Sequence, residues 1–237
     1  MPEESFGDLF TDLVSYDADL YRNIYGARTP RDLFDDLSPD ARDWAYAAAA
    51  EARAKPPSTA PLLSRPFDYG LVITSPFAAE SWHSTRYSDG SRFGVWYGSE
   101  KLRTTVFETA HHWIAFIEQT FAHERIEVRA ERRVFRARCR GLLVDLRRKW
   151  RKFPALVDRR SYPFTHRVGT FLHDQGQNGL LARSARVEGV NAAIFRADVL
   201  SRVRDHCFLT YRWTIGSAEV TVERSPGRTW LRLPASV

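Results

Sequence analysis

The stretch Lys55-Pro56-Pro57-Ser58-Thr59-Ala60-Pro61 constrains this chain more than any other. Proline lacks the N–H that a helix needs and clashes with the preceding turn, so this run forbids a helix and marks a linker. The chain therefore reads as two parts, an acidic segment over residues 1–62 and a main domain over residues 63–237. Charge divides it in much the same way. Residues 1–50 hold 4 arginines against 11 acidic residues, a net charge of −7, while the remainder holds 31 basic against 18 acidic residues, a net of +13. A basic body suits anionic ligands: a nucleic acid, a nucleotide or an acidic protein segment. Only Lys55, Lys101, Lys149 and Lys152 are lysines. Such an arginine excess serves forked phosphate contacts as readily as it reflects a GC-rich genome.

Several classes are excluded. No apolar run approaches the roughly 18 residues of a membrane span. The first ten residues carry Glu3, Glu4 and Asp8 where a secretory leader would be basic and then apolar, so no leader is expected. Cys139 and Cys207 can pair once at most, which leaves neither a disulfide scaffold nor a cysteine-rich zinc site. A reducing cytoplasm is the expected compartment.

Periodicity predicts the elements. Residues 1–54 read as helical, from Phe6, Leu9, Phe10 and Leu13 and from an N-cap at Ser38-Pro39 opening an alanine-rich run to Ala54. Beyond the linker, Tyr69 to Thr74 and Phe93 to Tyr97 read as strands around a turn at Ser88-Asp89-Gly90-Ser91. Leu102, Val106, Ala110, Trp113, Ile117 and Phe121 form one helical stripe. Arg125 to Asp145 is the longest strand-like run, and Tyr162 to Gln175 reads as a helix. Further strands are expected at Ala182 to Ser184, Ala192 to Phe195, Cys207 to Thr214 and Glu219 to Glu223. Strands in runs with intervening helices, without regular βαβ alternation, predict an α+β fold.

Most catalytic signatures are missing. Glu108, His111 and His112 cluster on one predicted helix, but no second carboxylate motif accompanies them, so no metal site is expected. There is no phosphate-binding glycine loop and no nucleophile elbow. Arg136, Arg138 and Arg140 alternate with small residues and would project from one strand face, followed by Arg147, Arg148, Lys149, Arg151 and Lys152. That stretch is either a phosphate track or a solvated basic face.

A spaced set remains. The segment Thr85-Arg86-Tyr87-Ser88-Asp89-Gly90-Ser91-Arg92-Phe93-Gly94-Val95-Trp96-Tyr97, running on to Glu108-Thr109-Ala110-His111-His112, resembles the RES domain family, named for its arginine, glutamate and serine. Gly179 to Arg186, followed by Gly189-Val190-Asn191-Ala192-Ala193-Ile194-Phe195, is similar to the family's serine segment. The resemblance runs over roughly residues 65–213. It implies an ADP-ribosyltransferase-like mixed β core with flanking helices, preceded here by the acidic helical segment. It also implies a toxin of a bacterial toxin–antitoxin pair that consumes NAD+, with a helix-turn-helix (Xre-type) antitoxin as partner and DNA met only through that partner. By the same resemblance Arg86, Glu108 and Ser184 are the motif residues. Tyr87, Tyr97 and Arg186 join the NAD+ site, and Arg65 has the spacing of a further family arginine. No metal is implied.

The chemistry can be argued beside the resemblance. Arginines bind a pyrophosphate through charge-assisted forks, and Tyr97 or Tyr87 offers an aromatic face to nicotinamide. Cleaving the nicotinamide–ribose bond builds positive charge on the ribose, which a fixed carboxylate stabilises; Glu108 on a helix suits that role. Ser184 has no evident base and is expected to position a group rather than attack. Protein ADP-ribosylation is the enzymatic alternative. A non-catalytic basic module for nucleic acid or protein is the rival of another class, and masking of the body by the acidic segment, with self-association, is a third.

Overall fold

The computed structural model describes residues 6–26, 68–121 and 125–236. Its N-terminal segment follows alternation rather than helical spacing. Val14, Tyr16, Ala18 and Leu20 occupy every second position and enter one apolar cluster, while Ser15, Asp17 and Asp19 turn outward. Residues Leu13–Tyr25 accordingly form strand β1, preceded by a single 3-10 turn at Phe6–Asp8. This corrects the helical reading of these residues: a period of two buries one face of the segment in a sheet. The expected helix over residues 40–54, the linker and the boundary at 62/63 lie outside the described residues.

A second correction concerns Tyr69–Thr74, which is helix α1 and not a strand. Asp68 caps it by accepting from the Gly70 amide at 2.8 Å, and a 3-10 turn through Pro76 follows. Local capping overrides the β-branched composition of a run in which only Val72 is buried.

The other expected elements are present in type, but the strands expected at Phe93 to Tyr97 and Ala182 to Ser184 lie at Trp96–Ser99 and Gly179–Arg183, so that Phe93 to Val95 and Ser184 are outside strands. In chain order these elements are β2 (Trp96–Ser99), α2 (Leu102–Thr120), β3 (Glu127–Asp145), α3 (Pro163–Asp174), β4 (Gly179–Arg183), β5 (Val190–Ile194), β6 (Leu200–Thr214) and β7 (Glu219–Ser225). An eighth strand, β8 (Arg228–Pro234), closes the order β1-β2-β5-β4-β3-β6-β7-β8. The fold is α+β. β1 also pairs antiparallel with β3 from Leu13↔Val144 to Tyr25↔Arg132, so five strands form a closed ring. Only the β3–β4 pair is parallel. β3 is long enough to serve two partners on its other edge, β6 up to Cys139 and β4 from Val144.

Helix α2 buries Val106, Ala110, Trp113, Ile114 and Ile117 against Val134, Leu209, Tyr211 and Trp213. Each large apolar side chain so buried contributes roughly 1.5–3 kcal/mol. Helix α3 comes close to the Arg86-Tyr87 turn because Gly169 has no side chain; a Cβ there would lie 1.8 Å from the Tyr87 carbonyl oxygen. Phe10 stacks on Phe171 of α3 at 5.1 Å, which ties the chain's first described turn to that helix.

Candidate active site

Thr105, Glu108, Thr109 and His112 share one face of α2 and line a pocket of about 490 Å³. The facing wall comes from β1, β2 and the β4–β5 hairpin, with the turn before β2 closing one side. Among the described residues three arginines line it, Arg22, Arg86 and Arg183, against the single carboxylate of Glu108.

Glu108 is held through one oxygen. The Ser184 hydroxyl donates to Oε1 at 2.6 Å, and the Asn191 amide donates to the same atom at 2.6 Å. Oε2 accepts no hydrogen bond among the described residues. Ser184 Oγ itself accepts from the backbone amides of Arg186 at 3.1 Å and Val187 at 3.2 Å. With both lone pairs engaged and its proton given to a carboxylate, this hydroxyl is a positioning group. Gly189 allows the arrangement, since a Cβ there would lie 2.1 Å from Thr104 Oγ1 and push the hairpin off α2.

The motif turn is anchored independently. Arg86 donates to the Asp158 carbonyl at 2.8 Å and lies over the Tyr162 ring at 4.6 Å. Tyr97 donates to Thr85 Oγ1 at 3.0 Å and accepts from the Tyr87 amide at 2.9 Å. His166 on α3 meets the Thr85 carbonyl at 2.7 Å. Burial pushes the Tyr97 phenol up to about 12 and raises that of Tyr87 as well. Both stay neutral at physiological pH.

Of the residues singled out in the sequence, Arg86, Tyr87, Tyr97 and Glu108 line one pocket. Ser184 touches it through Glu108. Arg186 stands behind the wall, where its guanidinium donates to the Arg159 carbonyl at 2.6 Å and to the Tyr162 hydroxyl at 3.2 Å. Its guanidinium still interacts electrostatically with Glu108 and Arg86 and shares Tyr162 with Arg86. Arg65 lies outside the described residues.

Sequence reasoning missed Arg22 and gave no role to Asn191. Arg22 sits two residues after Leu20 on the inward face of β1, so alternation sends it into the ring. It lies over the Trp96 ring at 5.2 Å and donates to the Tyr97 carbonyl at 3.1 Å, while its Nε is buried without a partner. Burial lowers its pKa to about 10, which still leaves it charged. The signal was present as one cation in an otherwise apolar alternation.

The basic stretch on β3 is largely answered by acids. Arg136 meets Asp19 at 2.7 Å, Arg138 meets Asp17 at 2.7 Å and Arg133 meets Asp205 at 2.6 Å. Lys149 pairs with Asp12 at 3.0 Å, and Lys152 pairs with Asp8. Much of a supposed phosphate track thus faces the acidic N-terminal segment. Among the described residues, no three His, Cys, Asp or Glu side chains converge on a metal-sized site, and no helix is long and apolar enough to cross a membrane.

The RES domain family model matches residues 53–214. The chain belongs to the RES domain family. The match takes in Arg86, Tyr97, Glu108 and Ser184, whereas Arg22 and all of β1 precede it. Among solved structures, a chain from the M. tuberculosis MbcT–MbcA toxin–antitoxin complex is similar at 12% identity, with 84% of this chain and 86% of that chain covered and a TM-score of 0.46. No curated protein matches this RES domain protein.

Proposed function

We propose that this RES domain protein is the toxin of a toxin–antitoxin pair and that it cleaves the nicotinamide–ribose bond of NAD+. One observation carries the reading: a lone carboxylate, clamped through Oε1 with Oε2 unengaged, in a pocket whose other charged side chains are arginines. A substrate with a pyrophosphate and a cationic ring matches that balance of charge. Arg22, Arg86 and Arg183 would take the phosphates, and Tyr97 would offer its ring to nicotinamide.

In the reaction the C–N bond breaks and its electron pair stays on nicotinamide, which leaves neutral. The ribose becomes oxocarbenium-like, and the fixed Glu108 carboxylate stabilises that charge more than it stabilises the ground state. Water then adds to the ribose and releases a proton, giving ADP-ribose. Inorganic phosphate or a protein side chain would complete the same step as acceptor. Loss of NAD+ accounts for toxicity in the cytoplasm without a macromolecular target, and a helix-turn-helix antitoxin is the expected partner.

The test is nicotinamide release from NAD+ by the purified chain, with and without phosphate, and with cell extract to supply protein acceptors. Release that disappears in Glu108→Gln supports the reading, and its dependence on phosphate or extract identifies the acceptor. A folded, partner-free chain that releases none under any of these conditions refutes it.

A further inference from the structure

We infer that Asn191, fixed by Ser99, is a second positioning residue for Glu108: it sets which carboxylate oxygen is presented to the ribose. The inference rests on reading Glu108 as the carboxylate at the reacting centre.

Ser99 on β2 and Asn191 on β5 are direct partners across an antiparallel pair, so their side chains lie side by side on one face. The Ser99 hydroxyl donates to Asn191 Oδ1 at 2.7 Å, and Asn191 Nδ2 donates to Glu108 Oε1 at 2.6 Å. This polarity is dictated by chemistry. An ionised carboxylate only accepts, so the amide end of Asn191 must face it. Oδ1 is then left facing Ser99, whose only useful role is to donate. Ser99 is 3% exposed, which shields that bond from competing water.

Asn191 on β5 and Ser184, just past the end of β4, therefore approach the same oxygen from the two sides of one hairpin, while Glu108 comes from α2. With Oε1 engaged twice, rotation about the Cγ–Cδ bond would cost both bonds. Oε2 is left as the oxygen for the developing ribose charge. A serine alone would fix one direction only; the second donor fixes the plane of the carboxylate.

The experiment compares wild type, Asn191→Ala, Asn191→Asp and Ser99→Ala in the full chain. Loss of a hydrogen bond to a carboxylate predicts a fall in kcat of about 10- to 100-fold for Asn191→Ala. KM for NAD+ should change less than about threefold, because the residue orients a catalytic group and does not hold substrate. The acid limb of the pH–rate profile should move upward, furthest in Asn191→Asp, where a second carboxylate replaces the donor without changing shape. Ser99→Ala should move the limb in the same direction by less. Equal kcat, or a fall in kcat with the limb unmoved, overturns the inference; so does a KM effect that accounts for the whole loss.

A readout without substrate keeps the two readings separate. In a crystal structure of Asn191→Ala without substrate, the Glu108 carboxylate plane should turn from its wild-type setting whether or not NAD+ is the substrate. If it stays in place, the positioning role fails. If it moves while wild type releases no nicotinamide, the NAD+ reading fails instead.

Discussion

Replacing Ser184 by alanine separates a positioning hydroxyl from a nucleophile. The hydroxyl makes three contacts: one donated to Glu108 Oε1 at 2.6 Å and two accepted from the amides of Arg186 and Val187. A hydrogen bond to a charged group is worth about 1.5–3 kcal/mol. At about 1.4 kcal/mol per decade, loss of that bond slows turnover roughly 10- to 150-fold if it acts through Glu108 alone. Asn191 would still hold Oε1, so activity should remain measurable. The two backbone amides lose their acceptor in a site where Ser184 is 3% exposed. Unpaired donors of this kind together cost about 2–4 kcal/mol, which lowers Tm by roughly 4–16 °C in a domain of this size. The assay is nicotinamide release under saturating NAD+, with a thermal melt and intact-mass spectrometry of both proteins during turnover. Loss of activity to the uncatalysed background, or an ADP-ribosyl adduct on wild-type Ser184, would refute the positioning role.

Three further outcomes follow from the same geometry. Arg22→Met should raise KM for NAD+ about 10- to 100-fold while leaving Tm unchanged or higher, since it removes a buried guanidinium whose Nε has no partner; steady-state kinetics and a melt check both halves. Gly189→Ala places a Cβ 2.1 Å from Thr104 Oγ1 and should cost about 1–3 kcal/mol. Urea unfolding of Gly189→Ala, with and without Thr104→Ala, should show that removing this side chain restores part of the loss. His112 keeps an accessible edge, yet its pKa falls to about 4, first through desolvation by the pocket walls and then through His111, Arg186 and Arg86. The unfolded chain then binds more protons at this position between about pH 6.5 and 4, so stability is lost as pH falls through that window, and denaturation of His112→Gln at pH 7, 5.5 and 4.5 should show a shallower decline.

Much of the main body was legible because its signals are local. The stripe from Leu102 to Ile117 repeats at helical spacing and buries as expected, and the small–arginine alternation from Arg136 to Arg140 keeps its faces apart on β3. The N-terminal segment misled because Phe6, Leu9, Phe10 and Leu13 carry helical spacing just before a run of period two, and Arg22 interrupts that run. β8 was overlooked as an edge strand in which only Leu233 is buried. Arg86, Tyr87, Tyr97 and Glu108 on the pocket were legible as a spaced set, whereas the clamp on Glu108 was not. Ser184 and Asn191 lie 76 and 83 residues away from it in the chain. Only the closed ring of strands brings them within hydrogen-bonding distance, and no local periodicity encodes that closure.

The distribution of arginines makes the strongest argument about what the fold is for. On the outer face of the sheet, Asp17 and Asp19 of β1 meet Arg138 and Arg136 of β3, with Arg204 of β6 also on Asp19. The acidic segment therefore offsets part of the basic one by strand pairing. Within the ring the same pairing of β1 with β3 delivers Arg22, and here no carboxylate among the described residues answers it. Arg86 is likewise held by carbonyl oxygens and an aromatic ring, which fix its position without neutralising it. Desolvating guanidiniums that no carboxylate neutralises is unfavourable to folding and favours an anionic ligand that completes them. Among the described residues, Arg136, Arg138 and Arg204 meet carboxylates on the outer face, whereas Arg22 and Arg86 meet only neutral groups beside Glu108. That is the arrangement expected if phosphate binding supplies the energy that holds a ribose against the carboxylate.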